Sequence, residues 1–381
     1  MIRPMSKTQI IVLGAGRVGS AIALDLGGDS NFAVTVADFD TGRGERFQSV
    51  DSVQFVQADL SDATDVQKLV APFDLVVGAV PGWMGYATLK AVIEAGKNAV
   101  DISFFEQDPF ELDELAKQKG VTCVVDCGVA PGLSNLVLGR MEQEFDSIDN
   151  FVCFVGGLPE NPTPPWNYKA PYSPTDVIEM YTRPARLVRD KKIVTVDALT
   201  ENELLEFEGV GTLEAFNTDG LRTLLTTTSV TDLKEKTLRY PGNRDALEIL
   251  AKSGFFDDER EVGGTIIRPR EITSKLLFEQ WFQGKEDYDI TVMRLIFEGV
   301  CDGKQVTRTF DMCDKADRVG SITSMARTTA YPCTAVARLI ASGTYTRKGI
   351  SPPEFIGADS DCYDAIMSDL KQRDVEFKVA E

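Results

Sequence analysis

The segment from Ile10 to Asp38 restricts this chain more than any other. An apolar, β-branched run (Ile10, Ile11, Val12, Leu13) leads directly into Gly14-x-Gly16-x-x-Gly19. Ala21, Ile22, Leu24 and Leu26 follow at a spacing that suits a helix lying on a sheet, and a second apolar run ends on Asp38. Strand, glycine turn, helix and strand is the order that a dinucleotide-binding βαβ unit needs. Gly14 permits the tight turn, Gly16 lets a pyrophosphate approach the backbone, and Gly19 lets the helix pack close to the strand. The helix start, at Arg17 and Val18, then points its N-terminus at the phosphates. Asp38 stands about 20 residues further on, where a carboxylate accepts hydrogen bonds from a ribose diol and repels a 2′-phosphate. The expected cofactor is therefore NAD, with NADP less favoured, and Arg17 and Arg43 are the phosphate partners that would weaken that preference.

A chain of 381 residues is long enough for two domains with separate cores. No apolar run reaches membrane-spanning length and the opening residues MIRPMSKTQ lack a signal-peptide core, so a cytoplasmic protein without a membrane partner is expected. The net charge of −19 opposes approach to nucleic acid phosphate. Seven cysteines without a C-x-x-C pair indicate neither a disulfide framework nor a thiolate zinc site. Histidine is absent altogether, which removes every mechanism that needs an imidazole base or a histidine-ligated metal. Proton transfer then falls to Asp, Glu, Lys, Tyr, Cys or water.

Strand and helix patterns alternate through the first third, giving βαβ units and a doubly wound parallel sheet of α/β class over residues 1–148. The expected helices include 62–70, 86–95 and 108–119, and the expected strands 75–80, 98–102 and 121–126. Ligands of such sheets sit beyond the C-terminal strand ends. Asp59 and Leu60 are thus expected at the adenine pocket, Ala79, Val80 and Pro81 at the nicotinamide ribose, and Asp101 and Asp126 as nearby carboxylates. From Phe151 strand-like segments follow one another, among them 192–196, 203–207, 225–228 and 236–239. This predicts a second domain, 149–318, of α+β type on a mainly antiparallel sheet. Residues 319–381, opening on the helical pattern 322–341, are expected to return to the first domain.

Several separated motifs then converge: Cys127-Gly-Val-Ala-Pro-Gly132, Gly156-Gly-Leu-Pro159, Gly211-Thr-Leu-Glu-Ala-Phe-Asn-Thr-Asp-Gly-Leu221, Lys236-Thr-Leu-Arg-Tyr-Pro-Gly242 and Met325-Ala-Arg-Thr-Thr-Ala-Tyr331. Together they resemble the saccharopine dehydrogenase-like family over nearly the whole chain, and within it the NAD-dependent L-lysine 6-dehydrogenases. The resemblance implies a Rossmann domain, a middle α+β domain that forms much of a homodimer contact, and oxidation of the lysine ε-amino carbon to an imine that hydrolyses to a semialdehyde and cyclises to a piperideine carboxylate. Asn217 and Asn243 stand where members of the family tend to carry histidine. An imine reductase of the saccharopine- or carboxynorspermidine-forming kind is the second enzymatic reading. A non-catalytic nucleotide sensor is the reading of a different class.

An amine-bearing carbon presented to nicotinamide needs a neutral amine, hence a base. Asp101 and Asp126 are the candidates, with Glu106 a third; each is equally a turn or helix-cap aspartate on its own sequence. Arg222 and Arg239 are the candidates for gripping a substrate carboxylate in a fork. Thr218 and Asp219 are candidates for the substrate ammonium, and Tyr168 and Tyr181 for closing the pocket or packing the core. Cys127 reads as a small packed residue. The expected partner is a small amino-acid substrate.

Overall fold

The computed structural model describes residues 7–170, 174–284 and 286–381. The chain divides into two compact units, residues 1–143 with 326–375, and residues 144–325 with 376–381.

The first unit opens with β1 (Thr8–Leu13), α1 (Arg17–Gly27), β2 (Phe32–Asp38), β3 (Val53–Gln57), α2 (Ala63–Val70), β4 (Leu75–Gly78), α3 (Gly82–Glu94), β5 (Asn98–Asp101), α4 (Asp113–Lys119), β6 (Thr122–Val124) and α5 (Leu133–Glu144). Ile10 to Leu13 and Leu75 to Val77 are buried on both faces, as central parallel strands require. Local chemistry sets the helix ends. Asp62 accepts the Thr64 and Asp65 amides at 2.8 and 3.1 Å to start α2, and Gly120, at φ 66°, stops α4. The pattern over 108–119 is one helix in sequence but two segments in the fold, a 3-10 turn Pro109–Leu112 and then α4, because Asp108 caps Phe110 and Pro109 starts a separate turn.

The second unit contains β7 (Ser147–Pro159), α6 (Pro174–Thr182), β8 (Ala185–Arg189), β9 (Lys192–Val196), β10 (Glu203–Phe207), β11 (Gly211–Asn217), α7 (Leu224–Thr227), β12 (Asp232–Arg239), α8 (Asn243–Lys252), the hairpin β13 (Arg260–Val262) and β14 (Thr265–Ile267), α9 (Pro269–Trp281), β15 (Asp289–Cys301) and β16 (Lys304–Lys315). The strand expected at 225–228 is the short helix α7 instead. The Thr226 and Thr227 hydroxyls bond back to the Thr223 carbonyl, and that local bonding overrides the β preference of threonine. The large sheet is antiparallel except where β12 runs parallel to β7. One layer of its core holds Phe154, Leu158, Leu213, Leu238 and Val292. A second layer, Tyr168, Ile178, Tyr181, Phe216, Leu247 and Trp281, joins α6, α8 and α9 to β11.

From α10 (Ser324–Ala341) the chain rejoins the first unit with β17 (Gly349–Ser351), α11 (Pro353–Gly357) and α12 (Ser360–Lys371), and it ends on β18 (Lys378–Ala380). The first sheet therefore runs β17-β6-β5-β4-β1-β2-β3, all parallel, with the reversal of strand order between β1 and β4. The unit boundaries fall at 143/144 and 325/326, not at 148/149 and 318/319. The last residues also leave the first unit, because β18 pairs with β16 in the second sheet. Asp289 accepts the Ser324 and Met325 amides at 2.7 and 3.0 Å and so caps α10 from a distant strand, which moves the boundary into the helix.

An ion network ties the returning helices to α1. Asp25 lies 2.6 Å from Arg373 and 2.9 Å from Arg338, and Asp369 lies 2.8 and 3.1 Å from the same two guanidinium groups. Burial alone would push the Asp25 carboxyl upward. Hydrogen bonding to Arg373 and the charge of Arg338 outweigh it and hold the pKa below the ordinary value. A depressed native pKa contributes stability above the unfolded value, about pH 4, that is lost as pH falls through the native one. Asp25→Asn should therefore cost about 3 kcal/mol at neutral pH, leaving two half-compensated arginines. Denaturant unfolding at a series of pH values should show the gap to wild type closing below about pH 4; a gap independent of pH would exclude the charge as its source.

Candidate functional site

The reversal between β1 and β4 brings the glycine loop against the turn after β4. The Ala79 amide donates to the Leu13 carbonyl at 2.9 Å, and a Cβ on Gly14, whose φ is +107°, would lie 2.4 Å from the Ala79 oxygen. A Cβ on Gly19 would lie 2.0 Å from the Gly14 carbonyl oxygen. Both glycines are thus demanded by backbone-to-backbone packing. Gly16 differs: it has an ordinary φ of −66°, caps α1 without a side-chain bond, and a Cβ there would meet only Arg43 Nη1, at 3.9 Å. That space lies over the start of α1, at exposed Arg17 and half-buried Val18, the position that a pyrophosphate takes at a helix N-terminus. The residues present therefore fit a dinucleotide.

Asp38 ends β2 and is 3% exposed. Its Oδ2 accepts the Ala15 amide at 2.7 Å and Arg43 Nη1 at 3.0 Å, and its Oδ1 accepts the Asp40 amide at 3.0 Å. The carboxylate that would face a ribose is thereby fastened to the phosphate loop itself. Asp59 is exposed and turned onto the Ser61 amide, while Leu60 is buried in the core of the first unit. Ala79 is half-buried, Val80 buried and Pro81 exposed.

Of the two candidate base carboxylates, Asp101 ends β5 and Asp126 lies two residues beyond the end of the adjacent β6, next in the sheet to the turn that follows β4. The Cys127 amide donates to the Asp101 carbonyl at 3.0 Å, which locks the strand ends together. Asp101 is 1% exposed, and its carboxylate accepts the Ser103 amide at 2.8 Å and the Ser103 hydroxyl at 3.3 Å. A Cβ on Gly78 would sit 1.8 Å from Asp101 Oδ2, so this carboxylate is aimed across the end of β4. Asp126 is buried with a left-handed backbone, φ 52°. Glu106 lies exposed on the loop beyond. Burial pushes the Cys127 thiol up, away from thiolate chemistry.

In the second unit the expected substrate residues separate into two groups. Thr218 donates to or accepts from Thr237 at 2.9 Å, and Asp219 is held in a fork by Arg186, at 2.8 and 3.0 Å. Arg222 is nearly buried, at φ 51°. Arg239 pairs across the sheet with Glu214, whereas Lys236 pairs with Asn217, so about 10 Å of strand separates the two ends. Arg239 is buried with its guanidinium 4.5 Å from the Tyr168 ring centroid and 5.7 Å from that of Tyr181, and its Nε donates to the Tyr181 hydroxyl at 2.8 Å. Both tyrosines pack edge-on to Trp281. In this same region Asn217 Oδ1, Asn243 Oδ1 and Trp281 Nε1 are buried without a hydrogen-bond partner. Ser103 was legible in sequence as the hydroxyl two residues after Asp101, a common aspartate turn. Arg186 and Trp281 carry no such sequence signal, since each meets its partners only through the tertiary fold.

The glycines give a test that separates fold from ligand. Gly19→Ala should lower the melting temperature by several degrees. Gly16→Ala should melt close to wild type yet bind ADP at least tenfold more weakly in calorimetry, because its Cβ fills the phosphate approach. Equal ADP affinity in Gly16→Ala and wild type would place the phosphates elsewhere.

Residues 10–124 match the family model for the saccharopine dehydrogenase NADP binding domain, and residues 128–375 match that for the saccharopine dehydrogenase C-terminal domain. The NADP+, L-glutamate-forming saccharopine dehydrogenase of Pyricularia oryzae is 22% identical over 97% of this chain and 98% of its own length. The mitochondrial alpha-aminoadipic semialdehyde synthase of Mus musculus is 26% identical over 67% of this chain, which spans only 29% of that longer protein. Among solved structures, the apo histidine-tagged saccharopine dehydrogenase (L-Glu forming) from Saccharomyces cerevisiae shares the fold, with a TM-score of 0.82 at 20% identity over 98% of this chain and 99% of that one. A parallel sheet with a glycine phosphate loop, a second mixed sheet and two family models that follow each other along nearly the whole chain place this protein in the saccharopine dehydrogenase family.

Proposed function

We propose that the protein is a dehydrogenase that uses a nicotinamide dinucleotide, NAD by preference, to oxidise the C–N bond at the ε-carbon of a lysine skeleton. The observation that carries this reading is the alignment of three neighbouring strand ends, where the turn Ala79 to Pro81 and the carboxylates of Asp101 and Asp126 follow one another beside the dinucleotide loop. When bound, the nicotinamide takes up the hydride. The protein's task is to orient the amine-bearing carbon, take the ammonium proton on Asp101 or Asp126 and admit water to the resulting imine. Asp38 holds the ribose diol, and its charge favours NAD. Arg239, stiffened by two tyrosines, is the substrate carboxylate partner, and Arg222, Thr218, Asp219 and Tyr168 shape the surroundings.

L-Lysine is the first substrate of this reading. Saccharopine, a secondary amine in which the lysine ε-nitrogen is also the α-nitrogen of a glutamate skeleton, is the second, and the named relatives of full length favour it. Oxidation at the same carbon releases ammonia from the first and glutamate from the second, with one semialdehyde common to both. A cytoplasmic homodimer completes the proposal.

The deciding assay follows the absorbance of reduced cofactor with NAD or NADP and each substrate in turn, and identifies the released amine. Absence of turnover with both, in protein that binds ADP, would remove the dehydrogenase reading. Asp101→Asn or Asp126→Asn should lower kcat by about a hundredfold to ten-thousandfold with dinucleotide affinity retained. Full activity in both variants would move the base to Glu106 or to solvent.

Arg239→Ala should cost at least about 2 kcal/mol in kcat/KM toward a carboxylate-bearing substrate, and Arg239→Lys should restore only part of it. A diamine without the α-carboxylate is the control. Equal losses toward both substrates would make Arg239 a structural residue.

A further inference from the structure

Resting on the dinucleotide reading, the geometry points to Arg43 as the residue that lets this site accept a 2′-phosphate which Asp38 by itself would exclude. Arg43 Nη1 lies 3.0 Å from Asp38 Oδ2, and its Nε lies 3.6 Å from Asp40 Oδ2. The guanidinium thus bridges the two acids that border the ribose position. It also lies 5.9 Å from the Phe39 ring centroid and close to the approach over Gly16. Its side chain is 44% exposed, so it can turn from Asp38 toward a ligand without opening the core. Asp38 keeps the Ala15 and Asp40 amides whichever way Arg43 turns, and its position does not depend on the arginine.

Charge then decides between the two cofactors. Two carboxylates and one guanidinium leave a single negative charge beside the ribose, which favours a diol without forbidding a phosphate. Removing Arg43 leaves both acids uncompensated against a dianionic group. Neutralising Asp38 has the opposite effect, because Arg43 then faces the phosphate with only Asp40 competing. Arg43 is therefore a specificity-determining residue.

The test is calorimetric titration of the full chain with ADP, whose ribose keeps its 2′-hydroxyl, and with its isomer 2′,5′-ADP, which carries one phosphate on the 2′-oxygen and one on the 5′-oxygen, each ligand being compared between variant and wild type. Arg43→Gln should weaken 2′,5′-ADP by about tenfold to hundredfold, the loss of a charged hydrogen bond, and leave ADP within about threefold. Arg43→Lys should recover part of that loss, since a point charge reaches the phosphate but cannot form the fork. Asp38→Asn should bind 2′,5′-ADP more tightly than wild type. If Arg43→Gln leaves 2′,5′-ADP binding unchanged, or lowers both ligands equally, the assignment of Arg43 fails while ADP binding preserves the dinucleotide reading. If wild type binds neither ligand, both fall together.

Discussion

Three backbone segments that approach within the width of a missing side chain organise the first unit. Gly14, Gly19 and Ala79 pack carbonyl against Cα, and no residue with a Cβ fits at either glycine without displacing its neighbours. The contact lays α1 close on the sheet and turns its first N–H groups toward the space above Gly16. It also brings the turn after β4 to the same edge, so that the glycine loop and this turn share one rigid frame. Asp38 extends the frame sideways through the Ala15 amide. The glycine loop and the Asp38 carboxylate are thereby one mechanical element.

Charges in the two units serve unequal purposes. The Asp25, Arg338, Arg373 and Asp369 network lies away from the glycine loop, at the other end of α1, and fastens the late helices to it. The Asp219 and Arg186 fork stiffens the turn after β11. Arg239, by contrast, sits among aromatic rings, where desolvation strengthens every polar contact that it makes. Buried polar atoms without partners occur in the same region, at Trp281, Asn243 and Asn217. Unsatisfied groups of this kind are costly in a folded protein and are tolerated where a ligand or water meets them.

How much of this was legible before the fold was known depended on the range of the interaction. The glycine loop, Asp38, the strand ends at Ala79, Asp101 and Asp126, and the change to a second sheet near residue 150 all follow from local pattern. So does the aspartate turn at Asp101 and Ser103. The short helix at Leu224–Thr227 was misread because hydroxyl bonds to the Thr223 carbonyl compete with β preference, and propensity alone does not weigh them.

What the sequence by itself determined is the class of fold and a dinucleotide-binding domain at its start, because glycine spacing, apolar runs and a terminal carboxylate act over a few residues and carry their geometry with them. Tertiary structure decided which charged groups are committed. Arg186 claims Asp219 across 33 residues, Asp289 caps a helix 35 residues away, and β18 returns to the second sheet. Such pairings are chosen by whichever surfaces the sheets bring together, and a linear pattern contains no record of that distance.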